Sequence, residues 1–223
     1  MKKLAKKLQS QLRAMLIKSG WKKLHYTYDD YIIAQTVTFK GFEKDNERWV
    51  EGQQRFIDSW LSELPRDIVL LDIACGDGVG LRYFKLLGFK KVIGAEIDND
   101  KLRVAAESGY EVYKQDIHCL DNFENDKFDV VYSSHTLEHA LYPNTVLNEF
   151  HRVLKPSGLL FIVLPFPDKS NDRAHCGKFI LGTYKDDEGR YVINYIESFG
   201  YKLLRKHYDS FRENEIWLNF RKI

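Results

Sequence analysis

The amino-acid sequence predicts an α/β fold, a doubly wound and mostly parallel seven-stranded sheet preceded by an N-terminal helical cap. Three observations carry that expectation. Short apolar runs, typified by Val69-Leu70-Leu71-Asp72-Ile73, read as strands buried on both faces. Helix-periodic segments alternate with them along the chain, as βαβ units require. The first run then breaks into the alternating glycines Gly76, Gly78 and Gly80 before apolar periodicity resumes from Val79 to Leu87, which is a strand, a tight turn and a helix. Glycines at such a turn admit a ligand close to the backbone, and the helix N-terminus behind them presents unpaired N–H groups. A nucleotide-like ligand is the natural occupant. The chain divides into an N-terminal arm or cap, residues 1–65, and a ligand-binding catalytic domain, residues 66–223.

With 223 residues and 44% hydrophobic content, the chain is long enough for one domain with a substantial core. A formal charge of +2 creates no strong field, so net charge does not call for nucleic acid. No apolar run approaches the ~20 residues that span a bilayer, and the first residues lack the apolar core and cleavage site of a secretion signal. A cytoplasmic protein is expected. Cys75, Cys119 and Cys176 are odd in number and widely spaced, which suits reduced thiols rather than a disulfide framework or a zinc knot.

In the arm, Leu4, Leu8, Leu12, Met15 and Leu16 share one helical face, Lys2, Lys3, Lys6, Lys7 and Arg13 occupy the others, and no acid appears before Asp29. Packing on its own domain or on a second subunit, as in a homodimer, is expected ahead of contact with a membrane surface. Trp21 to Phe42 is rich in Tyr, Ile, Thr and Phe without clean period, which points to aromatic packing ahead of a pocket lining. Glu47 to Leu64 returns to helical spacing through Trp49, Phe56, Ile57, Trp60, Leu61 and Leu64.

In the core, Gly88 closes the first helix, and Lys91 to Glu96 forms a second strand ending in acid. Glu96 stands twenty positions after Gly76, where a carboxylate can accept hydrogen bonds from both hydroxyls of a ribose. Asp98, a second choice for that role, or Asn99 N-caps a helix from about Asp100 to Ser108. Tyr110 to Lys114 is the third strand, followed by Gln115-Asp116-Ile117, and Phe128 to Ser133 is the fourth. Pro143 suits the first turn of a helix whose core face is Val146, Leu147, Phe150, Val153 and Leu154. Lys155-Pro156-Ser157-Gly158 then turns the chain into a fifth strand, Leu159 to Leu164. A helix near Asp187 to Phe199 and alternating segments at Tyr201 to Tyr208 and Glu215 to Lys222 complete the sheet with an antiparallel pair.

Taken in order, D-I-A-C-G-D-G-V-G from Asp72, the acid at Glu96, Gln115-Asp116-Ile117, and F-D-V-V-Y-S-S-H-T-L-E-H from Phe128 resemble the motifs of class I S-adenosylmethionine (SAM) methyltransferases, in the branch that acts on small molecules. A dinucleotide fold wants G-x-G-x-x-G, and Leu81 stands where its third glycine would fall. The resemblance implies a cofactor loop of Asp72, Ala74, Cys75, Gly76, Asp77 and Gly78, with Ala74 in place of the family's first glycine. It assigns the ribose to Glu96 and the adenine to Asp116, which takes the amino group, and to the N–H that follows it at Ile117, with Ile97 and Gln115 also contacting the cofactor. Ser133 completes the set, and Gln53, Gln54 and Arg55 are candidates for the methionine end. The implied reaction is methyl transfer from SAM, leaving S-adenosylhomocysteine, to oxygen of a small-molecule acceptor, a sugar or nucleotide-linked sugar being preferred. Transfer to nitrogen or carbon, a non-catalytic SAM-binding regulatory or scaffold protein, and a nicotinamide oxidoreductase are the alternatives. Nucleic-acid bases are disfavoured, because Ser133-Ser134-His135-Thr136 replaces the N/D-P-P-Y/F pattern of base methylases.

Removing a hydroxyl proton calls for a general base, and histidine titrates near neutrality. His139 and His175 are the candidates, ahead of His135. If residues 135–139 form a helical turn, His135, Glu138 and His139 share a face. Quinone-biosynthesis O-methyltransferases carry a related E-x-x-E-H at this place, so a divalent metal is an alternative, although His135 replaces the first glutamate. The long polar connection from Pro165 to Thr183, with Asp168, Asp172, Arg173 and Lys178, is expected to border the acceptor.

Overall fold

The computed structural model describes residues 8, 11, 12, 15, 27–38, 41, 43–168, 175 and 187–223. Helix α1 (Tyr28–Ile33) continues into a π-helical turn (Ala34–Thr38), and a 3-10 turn (Glu43–Asp45) leads to α2 (Glu47–Trp60). The alternating region follows as β1 (Val69–Ile73), α3 (Val79–Leu86), β2 (Lys91–Glu96), α4 (Asn99–Ala106), β3 (Glu111–Lys114) and β4 (Phe128–Ser134). After a 3-10 turn (Leu137–His139) come α5 (Pro143–Val153), β5 (Leu154–Pro165), α6 (Arg190–Glu197), β6 (Tyr201–Asp209) and β7 (Glu215–Lys222). Local chemistry sets several of the boundaries. Thr27 and Asp30 form a capping box on α1, Asn46 caps α2, and the Asp98 side chain accepts from the N–H groups of Asp100 and Lys101 at 2.7 and 3.0 Å to start α4.

The strands assemble in the order β3-β2-β1-β4-β5-β7-β6, with only β7 antiparallel to its neighbours. Both faces are covered, so side-chain alternation divides each strand between two cores. Leu71, Val131, Leu160 and Ile162 face α5 and α6 through Val146, Phe150, Val192 and Ile196. Leu70, Val130, Tyr132, Phe161 and Val163 face Phe56, Ile57 and Trp60 of α2 and Leu81 and Phe84 of α3. The turn expected at Lys155-Pro156-Ser157-Gly158 lies within β5 as a loop-out of the ladder: Phe128 pairs with Leu154 and Val130 with Leu159. Chain order reverses between β1 and β4. The crevice beyond the carboxyl ends of the strands at that switch point is where such sheets hold ligands.

No described helix is long and apolar enough to cross a membrane. Cys75 and Cys119 are free thiols, and Cys176 lies outside the described residues.

Candidate active site

A cleft of about 590 Å³ opens at the carboxyl ends of β1, β2 and β4. Ala74, Cys75, Gly76 and Asp77 form its floor, in a loop that takes the left-handed conformation at Ala74 (φ 53°), Gly76 (φ 57°) and Gly78 (φ 84°). A Cβ at Gly78 would stand 2.9 Å from the Ala105 Cα of α4, and one at Gly80 would stand 2.6 Å from Asp72 Oδ2. Gly78→Ala should therefore cost about 2 kcal/mol from left-handed strain and the backbone clash together, read as a lowered denaturation midpoint. Asp72 is 2% exposed, and its Oδ2 has no hydrogen-bond partner among the described residues. Burial, with the nearby charge of Glu96, pushes its carboxyl well above the ordinary range.

Glu96 ends β2 beside this loop. Its carboxylate accepts the N–H groups of Gly76 (2.9 Å), Ile97 (2.8 Å) and Asp98 (2.8 Å), which fixes it against the glycine turn. Burial raises its pKa, an effect only partly offset by those donors and by Lys101. Ile97, Gln115 and Ile117 line the cleft, as does Gln53 of α2. Asp72, Gly78, Ser133 and Asp116, the other expected positions, are not among the residues that line it. Ser133 is wholly buried and its hydroxyl has no hydrogen-bond partner among the described residues, while Ser134 lines the cleft, because adjacent strand residues point to opposite faces. Asp116 borders a neighbouring cavity, and its carboxylate accepts hydrogen bonds from the hydroxyls of Tyr28 and Tyr31 (3.4 Å) and from His118 Nδ1 (2.8 Å). Burial, which would raise its pKa, is outweighed by the hydrogen bonds from His118 and Tyr28.

The segment before α2 thus fastens to the cofactor-loop region at two places. Tyr28 and Tyr31 hold Asp116 at one end. At the other, Lys44 N–H donates to Asp77 Oδ2 (2.8 Å), and the Glu43 carboxylate pairs with Lys101 and accepts Asp77 N–H (3.3 Å). Tyr31, Gln35, Gly41 and Glu43 line the cleft between.

The other end of the cleft gathers acids and histidines. His135 adopts φ 51°, outside the Leu137–His139 turn, so the expected single helical face is broken, yet the three side chains still converge. His135 Nε2 lies 3.0 Å from Glu215 Oε1, and its Nδ1 lies 3.1 Å from Glu213 and 3.4 Å from Glu138. Burial and Arg212 depress its pKa, but the carboxylates more than restore it, so it ends above the ordinary histidine value. Arg212 donates to Glu215 at 2.6 Å and lies 4.2 Å over the Trp49 ring; a Cβ at Gly52 would stand 2.9 Å from Arg212 Cβ, which is why α2 can approach there. Glu138 is 1% exposed and has no hydrogen bond among the described residues; burial raises its pKa, but His135, His139 and His175 pull it below the ordinary range. His139 and His175 meet edge to face at 4.8 Å, and His175 Nδ1 lies 2.7 Å from the buried Asp168. Asp172, Arg173 and Lys178 lie outside the described residues.

Residues 71–162 match the family of methyltransferase domains. Over 98 residues it is 35% identical to a ubiquinone biosynthesis O-methyltransferase of Pseudomonas syringae pv. tomato, covering 41% of this chain and 42% of that one. Over 159 residues it is 25% identical to the thiol S-methyltransferase TMT1B of Rattus norvegicus, covering 67% of this chain and 63% of that one. The matched regions are thus about two fifths to three fifths of the length of these relatives. A SAM-dependent methyltransferase of Aquifex aeolicus shares the fold with a TM-score of 0.62 at 17% identity, over 82% of this chain and all of the other.

Sequence reasoning did not point to Glu43, Lys101, Glu213 or Glu215 as site residues, and it read Trp49 only as part of a helical apolar face. Each acts through a partner far along the chain. Only the aromatic run containing Tyr28 and Tyr31 hinted at a lining.

Proposed function

We propose that this methyltransferase domain binds SAM and directs its methyl group to an oxygen of a small hydroxylated acceptor. The observation that carries the reading is the set of carboxylates, Asp72, Glu96 and Glu43, gathered round the glycine loop. Burial raises Asp72 and Glu96, so a cationic sulfonium and ammonium, which favour the ionised carboxylates, suit the site, and a pyrophosphate does not. Glu43 places a carboxylate beside Gly76 and Asp77, where a dinucleotide would need to lay its phosphates. That counts against the nicotinamide alternative.

SAM, when bound, supplies the electrophilic methyl carbon and takes the C–S bonding pair onto sulfur. Glu96 would hold the ribose, and Ile97 and Ile117 would enclose the adenine. His175 would take the acceptor's hydroxyl proton. With Nδ1–H donated to Asp168, its lone pair lies on Nε2, and the carboxylate stabilises the imidazolium that forms. A SAM-binding scaffold would have no use for this pair. His135, with both ring nitrogens facing carboxylates of Glu213 and Glu215, has no nitrogen turned to an acceptor proton and is the weaker base candidate. On the acceptor side the described lining offers Glu138 and Glu213 and no lysine or arginine, so a neutral sugar or other hydroxyl compound suits it better than a nucleotide-linked sugar.

A second reading adds a divalent cation at this end. The ligand atoms of Glu138, His139 and His175 lie within 4.8 Å of one another, and the Glu138 oxygens are buried without hydrogen bonds. These residues would hold the ion, and bound there it would supply Lewis acidity to an acceptor oxygen. His135, Glu213 and Glu215 are equally close, but Arg212 already supplies the counter-charge. Calorimetric titration with Mg²⁺ or Zn²⁺ after chelator treatment tests this: no heat above background removes the ion.

The test of the main reading is calorimetry with SAM and, separately, NAD. SAM should bind and NAD should not. Glu96→Ala should weaken SAM by about 1–3 kcal/mol through lost charge-assisted hydrogen bonds, with Glu96→Gln in between. Unchanged affinity would remove Glu96 from the ribose site, and no SAM binding at millimolar concentration would overturn the reading.

A further inference from the structure

Leu8, Leu12 and Met15 are helical, fall at i, i+4 and i+7 on one face, and are 59%, 59% and 67% exposed. The expected packing of these side chains against the chain's own domain is therefore not what the structure shows. Three large apolar side chains open on one helical face mark a surface that something else covers. Charge decides between the candidates. Residues 1–28 contain seven lysines, one arginine and no acidic residue. A second copy of the chain, bringing its own equivalent stretch, would set eight cations against eight, whereas an anionic phospholipid surface supplies both the complementary charge and an apolar layer.

We infer that this stretch is an interfacial anchor: it lies along an anionic membrane surface with Leu8, Leu12 and Met15 buried at the acyl boundary. The exposed face of Leu8, Leu12 and Met15 is enough to lie in an interface and too little to cross it, and no described helix spans a membrane. The anchor is independent of the reaction at the cleft, so neither proposal depends on the other.

The test is co-sedimentation of the full chain with vesicles of phosphatidylcholine alone and with vesicles containing phosphatidylglycerol. Partition onto the anionic vesicles should be stronger by on the order of tenfold or more, and should fall as NaCl is raised, because each basic residue near the surface adds its own attraction. The triple variant L8E/L12E/M15E should lose vesicle binding while its thermal unfolding midpoint stays that of the parent, which separates loss of docking from loss of folding. Failure of the parent to sediment with anionic vesicles would overturn the inference. So would a triple variant that binds as the parent does. Light scattering that shows a dimer dissolved by the triple variant, with no vesicle binding by the parent, would assign the face to a second copy instead.

Discussion

Glu215→Gln is expected to destabilise the fold by about 3–5 kcal/mol, lowering the unfolding midpoint by roughly 10 °C in a chain of this size. Glu215 begins β7, is 1% exposed, and accepts from Arg212 Nε (2.6 Å), Trp217 Nε1 (2.9 Å) and His135 Nε2 (3.0 Å). It is the carboxylate shared by Arg212 and His135, and an amide in its place leaves Arg212 without its acid and His135 with only Glu213 and Glu138. Its pKa shows the strength of that attachment: although burial raises it, His135 and Arg212 hold it down at about 2. A depressed carboxyl contributes stability that is present above its ordinary value and is lost as pH falls from about 5 toward 2. His135, raised in the folded state, contributes stability that is full below about 6.5 and is lost as pH rises through its folded value. Denaturant titrations across pH should show both limbs in the parent, and the acid limb should flatten in Glu215→Gln. A cost of under about 1 kcal/mol would mean that water, not Glu215, balances these cations.

What the sequence made legible was what local rules dictate. The glycine turn, the Asp98 cap and Glu96 at the end of β2 follow from turn chemistry and periodicity within a few dozen residues, and the structure has them at those positions. Ser133 is buried and Ser134 lines the cleft because a strand's parity decides which neighbour faces it, and apolar content alone does not fix that parity. His135 departed from the expected helical face because its backbone turns left-handed immediately after β4. The partners of Asp116 and His135 were illegible for another reason. Tyr28 meets Asp116 across 88 positions, and His135 meets Glu215 across 80, so only the closed sheet brings them together.

His175→Ala is expected to lower kcat by about 10²–10⁴-fold while SAM affinity stays within about twofold, because a general base acts on the acceptor proton and not on the cofactor. The rate is read as S-adenosylhomocysteine release on an acceptor found by screening sugars and phenols. Asp168→Asn should fall in the same direction. A carboxylate can only accept from His175 Nδ1, whereas an asparagine amide can also donate to it, and that tautomer puts the hydrogen on Nε2, where the lone pair is needed. His139→Ala should cost less if His175 alone takes the proton, since His139 then serves only to hold the neighbouring ring at 4.8 Å. Equal and large losses from His139, His175 and Glu138 variants, together with a chelator-treated parent that added divalent ion reactivates and variants that it does not, would instead favour the metal reading over the free base. If neither His139→Ala nor His175→Ala slows turnover, the acceptor needs no histidine base. Positioning beside the sulfonium would then account for the reaction, as it would for an acceptor that already carries a nucleophilic lone pair.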